Sequence, residues 1–244
     1  MTAMRKLCIL TTIFLAGCGR YFAGPVRPMP EAEQGPHTTV YDDGTVSYSF
    51  NRLEISLRPV SDEELNRQFP SQSKAGALST NPYTYGNWRP MGDDWTPQRF
   101  TVFLLKVKNY AYPKVIVDPS RAVLVADNGR TYKALGIAEL SGYYQAYVLG
   151  YAGNFYARYE ERKDILKRTL YRGDPLFSGQ EQEGYLVFPP LHPDVERFKV
   201  VLKDIALRFD YKGDPVDTIE LSFRFGREVY RGYHPPPSLG RTSR

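Results

Sequence analysis

Cysteine is almost missing from this chain, with Cys8 and Cys18 its two thiols in 244 residues. Two thiols close one disulfide at most, so neither a disulfide framework nor a four-cysteine zinc site holds the fold. Histidine is equally scarce: His37, His192 and His234 stand far apart without the His-x-x-x-His spacing that presents two ligands on one helix face. Ordinary exposed or hydrogen-bonded histidines are expected, and no metal site. Neither a Gly-x-Ser-x-Gly elbow nor a phosphate-cradling P-loop occurs, and no cofactor is implied. Charge of one sign is also lacking. With 32 basic and 27 acidic residues the formal net charge is +5, too weak and too dispersed to suggest nucleic acid.

A long apolar run is absent as well. Leu7 to Gly17 carries no charge but has only eleven residues, about 16 Å as a helix, whereas a bilayer core needs roughly 20 residues. Preceded by Arg5 and Lys6, this run reads as a secretory signal peptide over residues 1–17. Its end, Leu15-Ala16-Gly17-Cys18, resembles a bacterial lipobox. That resemblance implies a diacylglyceryl group on the Cys18 sulfur, cleavage before Cys18 and acylation of the new amino group. Two or three chains together make a lasting membrane anchor. Gly19, where Asp would signal retention, resembles lipoproteins sent to the outer membrane. On this reading Cys8 leaves with the signal, Cys18 carries lipid, and a cysteine nucleophile is excluded.

About 225 residues remain, the size of one large β domain. From Tyr21 to His37 four prolines interrupt any periodic apolar pattern, so this stretch is expected to hold the domain some 40–50 Å from the lipid at about 3.1 Å per residue, residues 18–37 forming the lipidated Cys18 and a flexible tether. The domain is expected over 38–232. Thr39-Val40-Tyr41 and Thr45 to Tyr48 flank Asp42-Asp43-Gly44, a hairpin signal. Val46, Tyr48 and Phe50 follow one alternation, and Leu53, Ile55 and Leu57 the other. The phase change near Asn51-Arg52 predicts a bulge or a strand that changes sheets. Phe100 to Val107 is apolar on both alternations at its centre, as in a central strand. Further strands are expected at 115–117, 122–125, 131–134, 184–188, 198–202, 205–209 and 219–225. Nine or so turn-punctuated strands predict a mainly β, antiparallel sandwich or barrel.

Residues 137–172 break this pattern. Tyr143, Tyr147, Tyr151, Phe155 and Tyr159 recur every fourth position, and at 100° per residue five such members drift about 160° around one helix. Two helices are therefore expected, broken at Gly150 to Gly153. Asn154 caps the second, and Phe155, Tyr159, Leu166 and Leu170 share its buried face. Residues 233–244 are expected to be disordered.

"DNGRTYKAL" at 127–135 and "LYRGDPLFSGQEQEGYLVFPPL" at 170–191 resemble the immunoglobulin-like domains of bacterial envelope lipoproteins. The resemblance spans roughly residues 100–225. It implies an immunoglobulin-like antiparallel β-sandwich carrying a helical insertion, and it assigns no activity.

Candidate binding residues lie in Asn81 to Arg99, "NPYTYGNWRPMGDDWTPQR", which holds both tryptophans: Tyr83, Tyr85, Trp88 and Trp95. Rigid aromatic rings on a loop give large contact area at small entropic cost. The competing reading is that these rings fold back over a sheet edge. A non-catalytic, outer-membrane lipoprotein that binds another envelope protein is the function expected. Alternatives are a glycan or peptidoglycan binder using the same loop, and a hydrolase using Asp93 or Asp94.

Overall fold

A computed structural model describes residues 20–92, 95–150, 155–233 and 236, with backbone alone at 147–150 and 155–157. Cys18, Asp93, Asp94, the Asn154 cap and nearly all of the C-terminal tail lie outside the described residues. In chain order the strands are β1 (Arg20–Ala23), β2 (Arg27–Pro28), β3 (Thr38–Val40), β4 (Val46–Phe50), β5 (Leu53–Val60), β6 (Thr101–Asn109) and β7 (Lys114–Val115). There follow β8 (Val123–Ala126), β9 (Thr131–Lys133), β10 (Leu176–Phe177), β11 (Gln180–Phe188), β12 (Arg197–Phe209), β13 (Pro215–Gly226) and β14 (Val229–Gly232). The helices are α1 (Asp62–Gln68), α2 (Pro70–Ser73), α3 (Ile137–Gly150) and α4 (Phe155–Thr169).

The fold is the expected mainly β, antiparallel sandwich with a helical insertion. One sheet has the order β11-β6-β5-β4-β3 and the other β2-β13-β12-β8-β9, every pairing being antiparallel. Leu53, Ile55 and Leu57, Phe103, Leu105 and Val107, and Leu186 and Phe188 meet Leu124, Phe198, Val200, Leu202, Phe223 and Phe225 in the core between the sheets. Phe103 lies 5.0 Å from Phe225 and 6.1 Å from Phe188, ring centre to ring centre. The opposite face of the first sheet offers Val60, Val102, Tyr185 and Val187 to Leu65 of α1, Leu140 and Tyr144 of α3, and Ile165 and Leu166 of α4. β6 is thus covered on both faces, which is why its sequence is apolar on both alternations.

Two strand expectations change. Asn51 and Arg52 form a two-residue hairpin turn, with φ of 49° and 61°, and Phe50 pairs directly with Leu53. Two successive positive φ values give the primed turn whose twist matches the strands, so the phase change marks neither a bulge nor a crossing between sheets. Conversely, the strands expected at 198–202 and 205–209 are one strand, β12, with its register shifted between Leu202 and Ile205 and Asp204 at φ 53°. The bulge sits there instead.

A larger correction concerns the tether. Arg20 to Ala23 pair residue for residue with Gly232 to Val229, and Arg27 and Pro28 extend the second sheet opposite Gly226 and Phe225. Gln34 Nε2 donates to Met29 O at 3.0 Å and Arg224 O at 2.8 Å, while Arg224 N donates to Gln34 Oε1 at 2.9 Å. A proline-rich segment suits an edge strand because an edge leaves half of its N–H groups outside the ladder. The ring of Phe22 is buried and completes the docking.

The helical insertion follows its pattern in part. Tyr159, Leu166 and Leu170 pack on the first sheet as expected, and Asp164 pairs with Arg168 at 3.7 Å. Among the described rings of α3 the most buried is Tyr144, outside the every-fourth series.

If the N-terminal segment is integral to the fold, Phe22→Ala lowers unfolding free energy by about 3 kcal/mol, as for a buried aromatic. Urea denaturation checks this, and a free tether would show no change.

Candidate binding site in the aromatic loop

The loop is set by the helices before it. Ser61 caps α1 by accepting from Glu64 N at 3.2 Å, and Arg58 holds the Glu64 carboxylate through two hydrogen bonds of 2.8 and 2.6 Å. The second interaction replaces the usual return of a capping-box glutamate to its cap, tying α1 to β5 instead. Beyond α2, the fully buried Asn81 joins the pieces. Its Nδ2 donates to Ser73 Oγ at 2.9 Å and Leu65 O at 3.3 Å, and its Oδ1 accepts from Tyr83 N at 2.9 Å. Asn87 closes the loop on α2: its N donates to Ser73 O at 2.8 Å, and its Oδ1 accepts from Gly76 N at 2.7 Å. Gly86 at φ 63° passes so near that a Cβ would lie 2.4 Å from Ser73 O, so no other residue fits without displacing backbone.

The four candidate rings divide between core and surface. Tyr83 is a core residue and is corrected as a binding candidate: it is wholly buried, packs on Phe69 and Tyr185 at 6.0 and 5.1 Å, and shares a 2.5 Å hydrogen bond with Thr169 Oγ1. Burial pushes its phenol pKa far up. Trp95 folds back edge-on to Phe22 at 5.8 Å, joining the loop to β1. Tyr85 and Trp88 remain half-buried as a tilted pair, 5.4 Å apart at 47°. The Trp88 carbonyl accepts from Thr96 Oγ1 at 2.8 Å, and Met91 at the loop tip is fully exposed.

Three residues that sequence reasoning missed organise this surface. The Arg99 guanidinium lies 4.0 Å above the Tyr85 ring and 5.6 Å from that of Tyr144. Arg162 from α4 lies 4.8 Å from the same Tyr144 ring and donates to Ser79 O at 2.7 Å. Two cations around one tyrosine brace the loop against the helical layer through ring quadrupoles. Burial, with the Arg99 charge adding to it, pulls the Arg162 pKa down. Asp62, at the first position of α1, keeps part of its surface in water, yet burial pushes its pKa to about 7 against the opposing pull of Arg99. No spacing signal marks Arg99, Arg162 or Asp62, since their partners are distant in sequence.

The two described histidines, His37 and His192, make local contacts. His37 stacks on Phe50 at 4.2 Å, and His192 Nδ1 lies 2.5 Å from Asp194, which also pairs with Arg130 at 3.2 Å. Among the described residues no group of three or more His, Cys, Asp or Glu side chains could hold a metal ion. A cavity of about 370 Å³ opens between the Ala134–Ile137 stretch, the end of α4 and β11, and none of the candidate rings lines it.

No protein-family model matches the chain, and no curated protein matches it. Among solved structures, MPT63, a secreted protein from Mycobacterium tuberculosis, is similar over 69% of this chain and 91% of its own, at 10% identity and a TM-score of 0.31. A similarity that slight carries no argument about this chain.

Tyr83→Ala is expected to cost about 3–5 kcal/mol and Trp88→Ala under about 1 kcal/mol in chemical denaturation, because one ring is core and the other surface. Asp62 gives a pH signature. With its folded pKa raised from 3.8 to about 7, the folded state binds the extra proton, so the stabilisation is complete below about pH 4 and is lost as pH rises through 7. The thermal midpoint should fall from pH 5 to 8 in the parent and fall less in Asp62→Asn, with the variant on the order of 1–3 kcal/mol more stable at pH 8.

Proposed function

We propose that this chain is a membrane-anchored, non-catalytic lipoprotein of the outer membrane that binds another envelope protein through its aromatic loop. The carrying observation is the Arg99 guanidinium 4.0 Å over Tyr85, which holds Tyr85 and Trp88 half-exposed beside the fully exposed Met91. Tyr, Trp, Arg and Met are the residues enriched in protein interfaces, and Trp, Tyr and Arg dominate their hot spots. Preorganisation by Asn81, Asn87 and Arg99 lowers the entropy lost on association. The anchor is supported by the lipobox-like Leu15-Ala16-Gly17-Cys18. A glycan platform is less well served, because one face of Tyr85 lies under Arg99 and the Tyr85 and Trp88 rings are tilted 47° to one another, so they do not form one flat stacking surface.

Two measurements test this. Mass spectrometry of protein extracted from membranes should find acyl chains on the Cys18 peptide, and Cys18→Ser should release the chain into the soluble fraction. A photo-crosslinker replacing Met91 should give a discrete protein adduct in the envelope that Trp88→Ala reduces about 30-fold, as for a hot-spot loss of about 2 kcal/mol. No adduct, or one indifferent to Trp88, overturns the binding surface; retention on purified peptidoglycan that Trp88→Ala abolishes transfers the loop to the glycan reading.

A further inference from the structure

We infer that the β1–β14 ribbon seats the domain directly on the lipid headgroups, with an anionic bilayer surface as its partner; this rests on the Cys18 anchor proposed above. The ribbon begins at Arg20, two residues after Cys18. Two extended residues reach about 7 Å, close to the headgroup layer of one leaflet, which is roughly 5–8 Å deep. Because Arg20 is already paired with Gly232, no slack remains to lift the domain away.

The register decides which side faces the lipid. Residues opposite one another in an antiparallel pair share a face, so Phe22 and Tyr230 form one side of the ribbon, and Tyr21 and Arg231 the other. Phe22 is buried against Trp95, which makes that side the inner one. Tyr230 donates to Glu228, so this acid is engaged by an inner-side residue. The outer side carries Tyr21, 42% exposed, with the Arg231 guanidinium 5.8 Å from its ring, and Tyr233, 72% exposed, follows directly after the strand end. Arg20, which by the same alternation shares the side of Phe22, is exposed at the strand start, where the ribbon ends. Tyrosine and arginine together suit the bilayer interface: the rings sit at headgroup level, and each cation gains from an anionic surface.

The test uses the acylated protein in vesicles of phosphatidylethanolamine and phosphatidylglycerol doped with headgroup-nitroxide lipid. Tyr21→Trp and Tyr211→Trp are each made in a Trp88→Phe, Trp95→Phe background. Tyr211, 91% exposed, lies in the β12–β13 turn, and the twelve residues of β13 carry the chain about 36 Å from there to the ribbon end. The indole at 21 should be quenched at least fivefold more strongly than the indole at 211. Trp88→Phe alone, which leaves Trp95 on Phe22 and the ribbon unaltered, should also show quenching. Neither indole quenched, or both equally, overturns the inference while leaving the anchor standing. A Cys18 peptide without acyl mass overturns the anchor and the inference together.

Discussion

Burial of β6 on both of its faces is the constraint from which the architecture follows. Phe103, Leu105 and Val107 must be covered on one side and Val102 on the other, and a single sheet facing water could satisfy only one set. The second sheet covers the first set and the helical layer of α1, α3 and α4 covers the other. Because each layer buries apolar surface at roughly 25 cal/mol per Å², the central sheet ties two cores together in a chain that has no disulfide framework. Tyr185 and Val187 of β11 repeat the arrangement beside Leu186 and Phe188.

The aromatic loop is shaped by this helical core. Tyr83 enters it, and the Thr169 hydroxyl satisfies its phenol, so a ring that resembles its neighbours in sequence becomes structural. The rings left outside are held by charge: Arg99 has its cation over Tyr85 and its Nη1 3.4 Å from Asn81 O. Burying an arginine is costly unless its charge and donors find partners; here the Tyr85 and Tyr144 rings, the Tyr144 hydroxyl and the Asn81 carbonyl offset part of that cost, while the buried Arg99 Nε has no hydrogen-bond partner among the described residues. The same crowding takes part of the water from Asp62 and pushes its carboxyl pKa up to about 7.

At the other end of the molecule the N-terminal strand changes the geometry of attachment. A free segment of that length would hold the domain tens of ångströms from an anchor, with its orientation averaged. Paired to β14, and locked through Gln34 to the backbone of Arg224, the segment instead gives the domain a defined base. Trp95 on Phe22 joins that base to the aromatic loop.

The sequence by itself determined what depends on local pattern. Period-two alternation marked the strands, Asp42-Asp43-Gly44 marked a hairpin, and the slipping series of aromatic residues required two helices. Tertiary structure alone decided matters that depend on partners far along the chain. Tyr83 and Trp88 are five residues apart in one loop, yet Phe69, Tyr185 and Thr169 bury the first while the second stays half-buried beside Tyr85. Prolines between Arg20 and Gln34 disfavour a continuous α-helix, but they could not reveal that a strand some 200 residues later would accept the segment along an edge. Side-chain burial is a long-range property. Periodicity shows which residues can face a core, and only the pairing of distant strands determines which core they find.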